Sequence, residues 1–201
     1  MPSQIILAST SPYRKEILSK LGIPFCCCSP DIDETPLPQE TPEAHVTRLA
    51  KEKARAGAQS FDQGLVIGSD QVAVINGKII GKPLNHEAAV SQLTSASNQI
   101  ITFYTGIALH NITTNETEAR CETFKVHFRA LTQAQIEYYL RKEQPYFCAG
   151  SFKSEGLGIA LFNRLEGKDP NTLIGLPLIT LIDMLARQGY VVLDHHPKSA
   201  Y

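Results

Sequence analysis

The first half of the chain alternates between short apolar runs and amphipathic stretches, a pattern of strands and helices taken in turn. Ile5–Leu7 predicts a short strand that passes through Ser9-Thr10-Ser11-Pro12 into a helix ending near Leu21. Ile17, Leu18 and Leu21 form the apolar stripe of that helix. Ser11 suits its N-cap, Pro12 its first helical position and Gly22 its stop. Phe25–Cys28 reads as a second strand, followed by a turn-rich segment through Asp31-Ile32-Asp33-Glu34-Thr35-Pro36. Thr41-Pro42-Glu43 opens a long helix to about Ala58. Val46, Leu49, Ala50 and Gly57 recur on one of its faces, and Lys53 falls on the same stripe.

Leu65-Val66-Ile67 predicts a buried strand that runs into Gly68-Ser69-Asp70. Gln71–Ile75 and Lys78–Ile80 flank Asn76-Gly77, a strong hairpin signal that sets Ile75 opposite Lys78. A helix is expected from about His86 to Thr94, long strands over 100–110 and 117–129, and helices over 132–142 and 177–188. Between those helices lies a glycine-rich stretch, Gly150–Gly158, and from about Asp194, chiefly 195–201, the tail reads as frayed. Helices and strands first alternate and then long strands pair, which predicts an α/β fold with a mixed sheet.

Composition narrows the function. At 201 residues the chain suits one domain, or two lobes around a shared sheet, and 43% hydrophobic content provides for a core. A net charge of −1 argues against a nucleic-acid coat or a membrane-surface protein. MPSQIILAST carries neither the basic nor the long apolar region of a signal peptide, so the expected location is cytoplasmic. The five cysteines include the adjacent Cys26, Cys27 and Cys28, whose alternation along a strand disfavours a shared metal or a mutual disulfide. They read as small apolar residues of a buried strand.

Three constellations carry chemistry. Ser9-Thr10-Ser11-Pro12-Tyr13-Arg14 takes a strand into a helix N-terminus, where free N–H groups, hydroxyls and one Arg can cradle a phosphate, although simple capping explains it as well. No glycine-rich Walker loop is present. Lys53, on an inward stripe, must either snorkel or meet an anion. Asp70, between apolar strands, needs a partner, and hairpin spacing places Gln71 opposite Lys82, so a plain Asp70–Lys82 ion pair competes with a catalytic reading. Glu34 sits in a turn that is ordinarily just solvated. Cations at 14, 53 and 82 with carboxylates at 34 and 70 suit phosphoryl chemistry, in which charge neutralisation and alignment of water dominate.

At this point the motifs resemble a known family. Ile6-Leu7-Ala8-Ser9-Thr10-Ser11-Pro12-Tyr13-Arg14, Asp31-Ile32-Asp33-Glu34, Ala50-Lys51-Glu52-Lys53-Ala54 and Ile67-Gly68-Ser69-Asp70 are similar to the Maf family of nucleotide pyrophosphatases. So are Gly81-Lys82-Pro83, Phe103-Tyr104-Thr105-Gly106 and Gly175-Leu176-Pro177, in the family's order. The resemblance implies a mixed twisted sheet flanked by helices, a Maf/ITPase-like fold with two lobes around an active-site cleft. It implies hydrolysis of a nucleoside triphosphate to monophosphate and pyrophosphate with a divalent cation (Mg, Mn or Co). Asp70 is then the catalytic carboxylate, acting on water or holding the metal together with Glu34, and Ser9, Ser11, Arg14, Lys53 and Lys82 bind phosphate. The implied partner is a small-molecule nucleotide, with no nucleic acid and no membrane; a homodimer is compatible with this.

The branch acting on dTTP and UTP carries a second Arg after the Ser-Pro, a Thr after the catalytic Asp and a Gln in the later glycine-rich segment. Here those places hold Tyr13, Gln71 and Glu155, a set similar to the branch preferring 7-methyl-GTP. An aromatic face at Tyr13 attracts a cationic methylated base, and a carboxylate at Glu155 accepts from guanine N1–H and its exocyclic amine. A dTTP or UTP pyrophosphatase, a non-catalytic nucleotide-sensing regulator linked to cell division, and a cysteine-triplet metal or redox protein stand as alternatives.

Overall fold

The structure, a computed structural model, describes residues 4–194. The expected fraying of 195–201 lies outside the described residues. In chain order the elements are β1 (Ile5–Ala8), α1 (Pro12–Ser19), β2 (Phe25–Cys28), α2 (Pro42–Ala58), β3 (Leu65–Ile75), β4 (Lys78–Ile80) and α3 (His86–Ala96). They continue with β5 (Ile100–Asn111), β6 (Glu116–Phe128), α4 (Gln133–Glu143), β7 (Phe162–Gly167), α5 (Pro170–Ile174) and α6 (Leu178–Arg187), with short 3₁₀ turns between. The fold is α/β: among the described residues the sheet has seven strands, in the order β2-β1-β3-β5-β6-β7 with β4 paired to β3. Among the described residues no helix is long and apolar enough to cross a membrane.

The described chain forms two compact units: residues 4–71, 105–122 and 169–194 in the first, 72–104 and 123–168 in the second. In the first, β1 runs parallel to both β2 and β3, with Ile5 beside Phe25 and Leu65 and Ala8 beside Cys28 and Gly68. A parallel strand covered on both faces is apolar throughout, and Ile5, Ile6, Leu7 and Ala8 are all buried. Successive side chains serve opposite faces. Ile5 and Leu7 pack with Ile17 and Leu18 of α1 and with Leu181, Met184 and Leu185 of α6, while Ile6 and Ala8 join Val66 and Ala58.

Helix starts follow their caps. Ser11 Oγ accepts the Arg14 N–H at 3.4 Å, with Pro12 opening α1. Thr41 Oγ1 accepts the Ala44 N–H at 3.2 Å to open α2. One expectation needs correction: β2 is the outer strand, so its cysteines are not fully buried, although Cys26 and Cys28 pack against the cluster of Ile6, Ala8 and Val66. Cys27 is exposed and Cys26 and Cys28 are half-buried.

The second unit holds the hairpin, with Ile75 paired to Lys78 around Asn76 and Gly77, both at positive φ as a tight two-residue turn requires. β6 and β7 pair antiparallel, from Phe124 beside Gly167 to Phe128 beside Phe162. Phe152 meets Phe103, Phe128 and Phe162 edge-to-face at 5.5, 5.6 and 4.9 Å. That geometry sets ring edges against ring faces and adds to area burial. Strand β7 and helix α5 are absent from the sequence-based expectation.

Candidate active site

The parallel ladder of β1 and β3 closes at Ala8–Gly68, and Ser9 and Ser69 emerge side by side just beyond it. Ligands of parallel sheets gather beyond the carboxyl ends of strands, where loops and helix N-termini converge. Ser9 is buried and its Oγ accepts the Ser11 N–H at 3.2 Å. The turn thereby folds tightly into α1, and Arg14 and Tyr13 belong to its first turn. Tyr13 is exposed.

Helix α2 lies against this sheet with little side chain in between. A β-carbon on Gly68 would strike the carbonyl oxygen of Ala50 and the amide nitrogen of Ala54. One on Gly106 would strike Val46 backbone, and one on Gly57 would lie 2.6 Å from the Ala8 side chain. This approach brings Lys53, only 6% exposed, against β3. Its Nζ lies 2.7 Å from Asp70 Oδ1 and 2.7 Å from Glu34 Oε1. Lys53 therefore does not snorkel; it joins the two carboxylates. Asp70 is buried, as a charged group can be once paired and hydrogen-bonded.

Arg14 completes the cluster. Its Nε donates to the Gly175 carbonyl at 2.9 Å. Burial pushes the guanidinium below its ordinary pKa, while the charges of Asp70 and Glu34 pull the other way. Gly175, at φ +119, closes α5, a backbone conformation that suits glycine. The Ser69 hydroxyl is fully buried within 2.8 Å of the Gly106 carbonyl and 2.9 Å of the Gly175 carbonyl, which share its single proton. The Gln71 amide donates to Thr105 Oγ1 at 2.9 Å and to the Thr172 and Leu173 carbonyls at 2.8 and 3.2 Å. Gln71 thus ties β3 to α5, and Thr105 Oγ1 donates to the Thr172 carbonyl as well.

Ser69, Thr105 and the Gly175 carbonyl escaped the sequence reading of site chemistry. The signal available was small hydroxyl residues inside otherwise apolar strands, which bury well only when bonded. Lys82 and Glu155 belong to the second unit. The hairpin ladder ends at Ala73–Ile80, and Lys82 lies past it, exposed. Glu155 is exposed too and accepts from its neighbour Ser154 at 3.3 Å.

Among the described residues no three or more His, Cys, Asp or Glu side chains gather to hold a metal. Asp70 and Glu34, converging on one ammonium, do offer hard oxygen donors. Such a pair fits a Mg²⁺-like cation, which binds through one or two carboxylates and completes its shell with water and phosphate.

Comparison with known proteins gives the same direction. A 7-methyl-GTP pyrophosphatase of Vibrio vulnificus is 62% identical over 190 residues, 94% of this chain and 97% of that protein. Proteins of the same name from Aliivibrio fischeri and Nitrosococcus oceani are 61% and 57% identical, each over 96% of this chain and over 100% and 96% of their own lengths. The model of the Maf-like proteins matches residues 4–188, and the chain belongs to that family.

Proposed function

We propose that this protein hydrolyses 7-methyl-GTP between its α- and β-phosphates, giving 7-methyl-GMP and diphosphate in the cytoplasm. The observation that carries the reading is the buried Lys53 between Asp70 and Glu34, just past the point where the β1–β3 ladder ends. The names of the full-length relatives support the choice of substrate. In the reaction a water oxygen bonds to the α-phosphorus, the bond from that phosphorus to the bridging oxygen breaks, and its electron pair leaves with diphosphate. Asp70 is the carboxylate that acts at this step, as acceptor of the water's proton or as a residue that would hold the divalent cation. Ser9, Ser11 and Arg14, grouped at the start of α1, bind phosphate oxygens together with Lys53 and Lys82.

Glu34 and Asp70 would hold a divalent cation, which when bound supplies Lewis-acid charge for the phosphate oxygens. Tyr13 and Glu155 read the methylated base, and Gln71 acts with them through its hold on α5. The test is a screen of 7-methyl-GTP, GTP, UTP and dTTP with Mg²⁺, scoring diphosphate against orthophosphate. Diphosphate from 7-methyl-GTP at the highest kcat/KM is the expected result. Orthophosphate with a nucleoside diphosphate as first products would sink the bond assignment.

A further inference from the structure

The acid in this cluster with the least packing is Glu34. Its side chain is 60% exposed, yet it meets Lys53 at 2.7 Å. The segment from Ser29 to Thr41 contains no strand or helix, and Pro30, Pro36 and Pro38 remove backbone donors that could brace it. The position of so exposed a side chain on so irregular a segment also depends on what anchors its backbone.

That anchor is a second group of side chains, Arg48 and His45 on α2 with Glu40 just before it, which the proposed reaction does not use. Arg48 Nε donates to Glu40 Oε1 at 2.7 Å and Nη2 to Glu40 Oε2 at 2.9 Å, a two-pronged fork. The same Nη2 reaches the Thr35 carbonyl at 3.2 Å. Glu40 Oε2 also takes the Leu37 N–H at 3.1 Å and faces His45 Nδ1 at 2.9 Å. The Thr35 N–H, in turn, donates to Asp33 Oδ1 at 2.9 Å. Both backbone polar atoms of the residue following Glu34 are thereby engaged, one of them by Arg48. The fork is well shielded: the side chain of Glu40 is 8% exposed and that of Arg48 20%.

We propose that Arg48, locked by Glu40, is a positioning residue that sets the backbone of the Glu34 segment so that the Glu34 carboxylate meets Lys53. This rests on the proposed role of Glu34 at the cation. One helix then supplies both the ammonium that Glu34 contacts and, five residues earlier, the guanidinium that holds its backbone. A lysine at 48 could keep the charge but not the planar fork spanning Glu40 and Thr35.

The experiment compares Arg48→Met, Arg48→Lys and Glu40→Gln, each alone and with Glu34→Gln, by amide hydrogen exchange and by the Mg²⁺ concentration giving half-maximal turnover of 7-methyl-GTP. In Arg48→Met, exchange over residues 33–37 should rise by about tenfold while α2 stays protected, and the half-maximal Mg²⁺ concentration should rise by roughly tenfold, the scale of one charge-assisted hydrogen bond. Arg48→Lys should recover only part of this, and Glu40→Gln should act in the same direction if Arg48→Met folds poorly. Added to Glu34→Gln, Arg48→Met should change the Mg²⁺ requirement by less than about twofold, because coupled residues do not add. Unchanged exchange over 33–37, or a full Arg48 effect persisting without the Glu34 carboxylate, overturns the proposal. If exchange rises but Glu34→Gln leaves the Mg²⁺ requirement alone, the clasp stands and the metal role of Glu34 falls.

Discussion

Both compact units bury apolar side chains, but they differ in the polar groups they bury. Of the buried polar and charged side chains among the described residues, all but Ser151 belong to the first unit, Lys53, Asp70, Ser69, Thr105 and Asp169 among them. The interior of the second is built around phenylalanine rings packed edge-to-face, and its two candidate site residues, Lys82 and Glu155, are exposed. Buried polar groups stabilise little or nothing in net terms and tolerate no loss of partner, whereas buried rings stabilise directly. Shape-conserving changes at the first unit's site residues should therefore be felt first in activity, and loss of a ring in the second first in stability.

The largest expected effect is in the second unit. Phe152→Ala removes a ring packed edge-to-face on three others, at a cost of about 3–5 kcal/mol. Chemical denaturation should show the loss, while kcat of the remaining folded protein stays within a few-fold. A collapse of kcat at temperatures where the variant is still folded would break the division of labour. In the first unit, Asp70→Asn keeps shape and volume but removes the charge facing Lys53, so kcat should fall by at least about 10² with the circular dichroism spectrum intact. Near-normal turnover would remove Asp70 from the mechanism.

Glu155→Gln sharpens the comparison, because it asks whether an exposed residue of the second unit selects the base. A carboxylate offers only acceptors, matching guanine's donors, and an amide replaces one acceptor by a donor. Activity on 7-methyl-GTP should drop by roughly 10- to 100-fold and rise relatively on UTP and dTTP. Level kcat/KM ratios across the four nucleotides would leave Glu155 as a solvated charge.

The smallest effect is a pH dependence. Arg48 and His45 hold the Glu40 carboxyl down at about 2 from its ordinary 4.5. A depressed carboxyl contributes stability that is complete above about pH 4.5 and lost as pH falls toward 2. Thermal unfolding of the unaltered protein and Glu40→Gln should therefore differ most at neutral pH and converge with acid. A gap that widens on acidification would contradict the fork.

How much of this could be read from the chain depended on how local the cause was. The inward lysine of α2 follows from helical spacing alone, and the hairpin register follows from Asn76-Gly77; both agree with the structure. What spacing could not reveal is which cation faces Asp70. Hairpin counting favours Lys82, whereas the first unit pairs Asp70 with Lys53, because a helix distant in sequence closes on β3. The cysteines of β2 fail for a related reason: an apolar strand looks the same at the edge of a sheet as at its centre. Helix α5 is five residues long, too short for periodicity, although Asp169-Pro170 is a legible start once sought. Its closing residue, Gly175, carries the carbonyl that holds Arg14.

The backbone-to-backbone seating of α2 on Gly68 and Gly106 has a mechanical consequence. Most helices ride on a cushion of side chains that can change rotamer and absorb a displacement. Here the cushion is missing, so the helix works as a fixed ruler and the Lys53–Asp70 separation is dictated by main-chain thickness. Adding even one methyl group at Gly68 or Gly106 must lift the helix as a body, since neither the Ala50 nor the Val46 backbone can turn aside. Such a change would be felt as a lengthened gap between ammonium and carboxylate, and positions with no chemistry of their own would behave in mutational scans as though they were part of the active site.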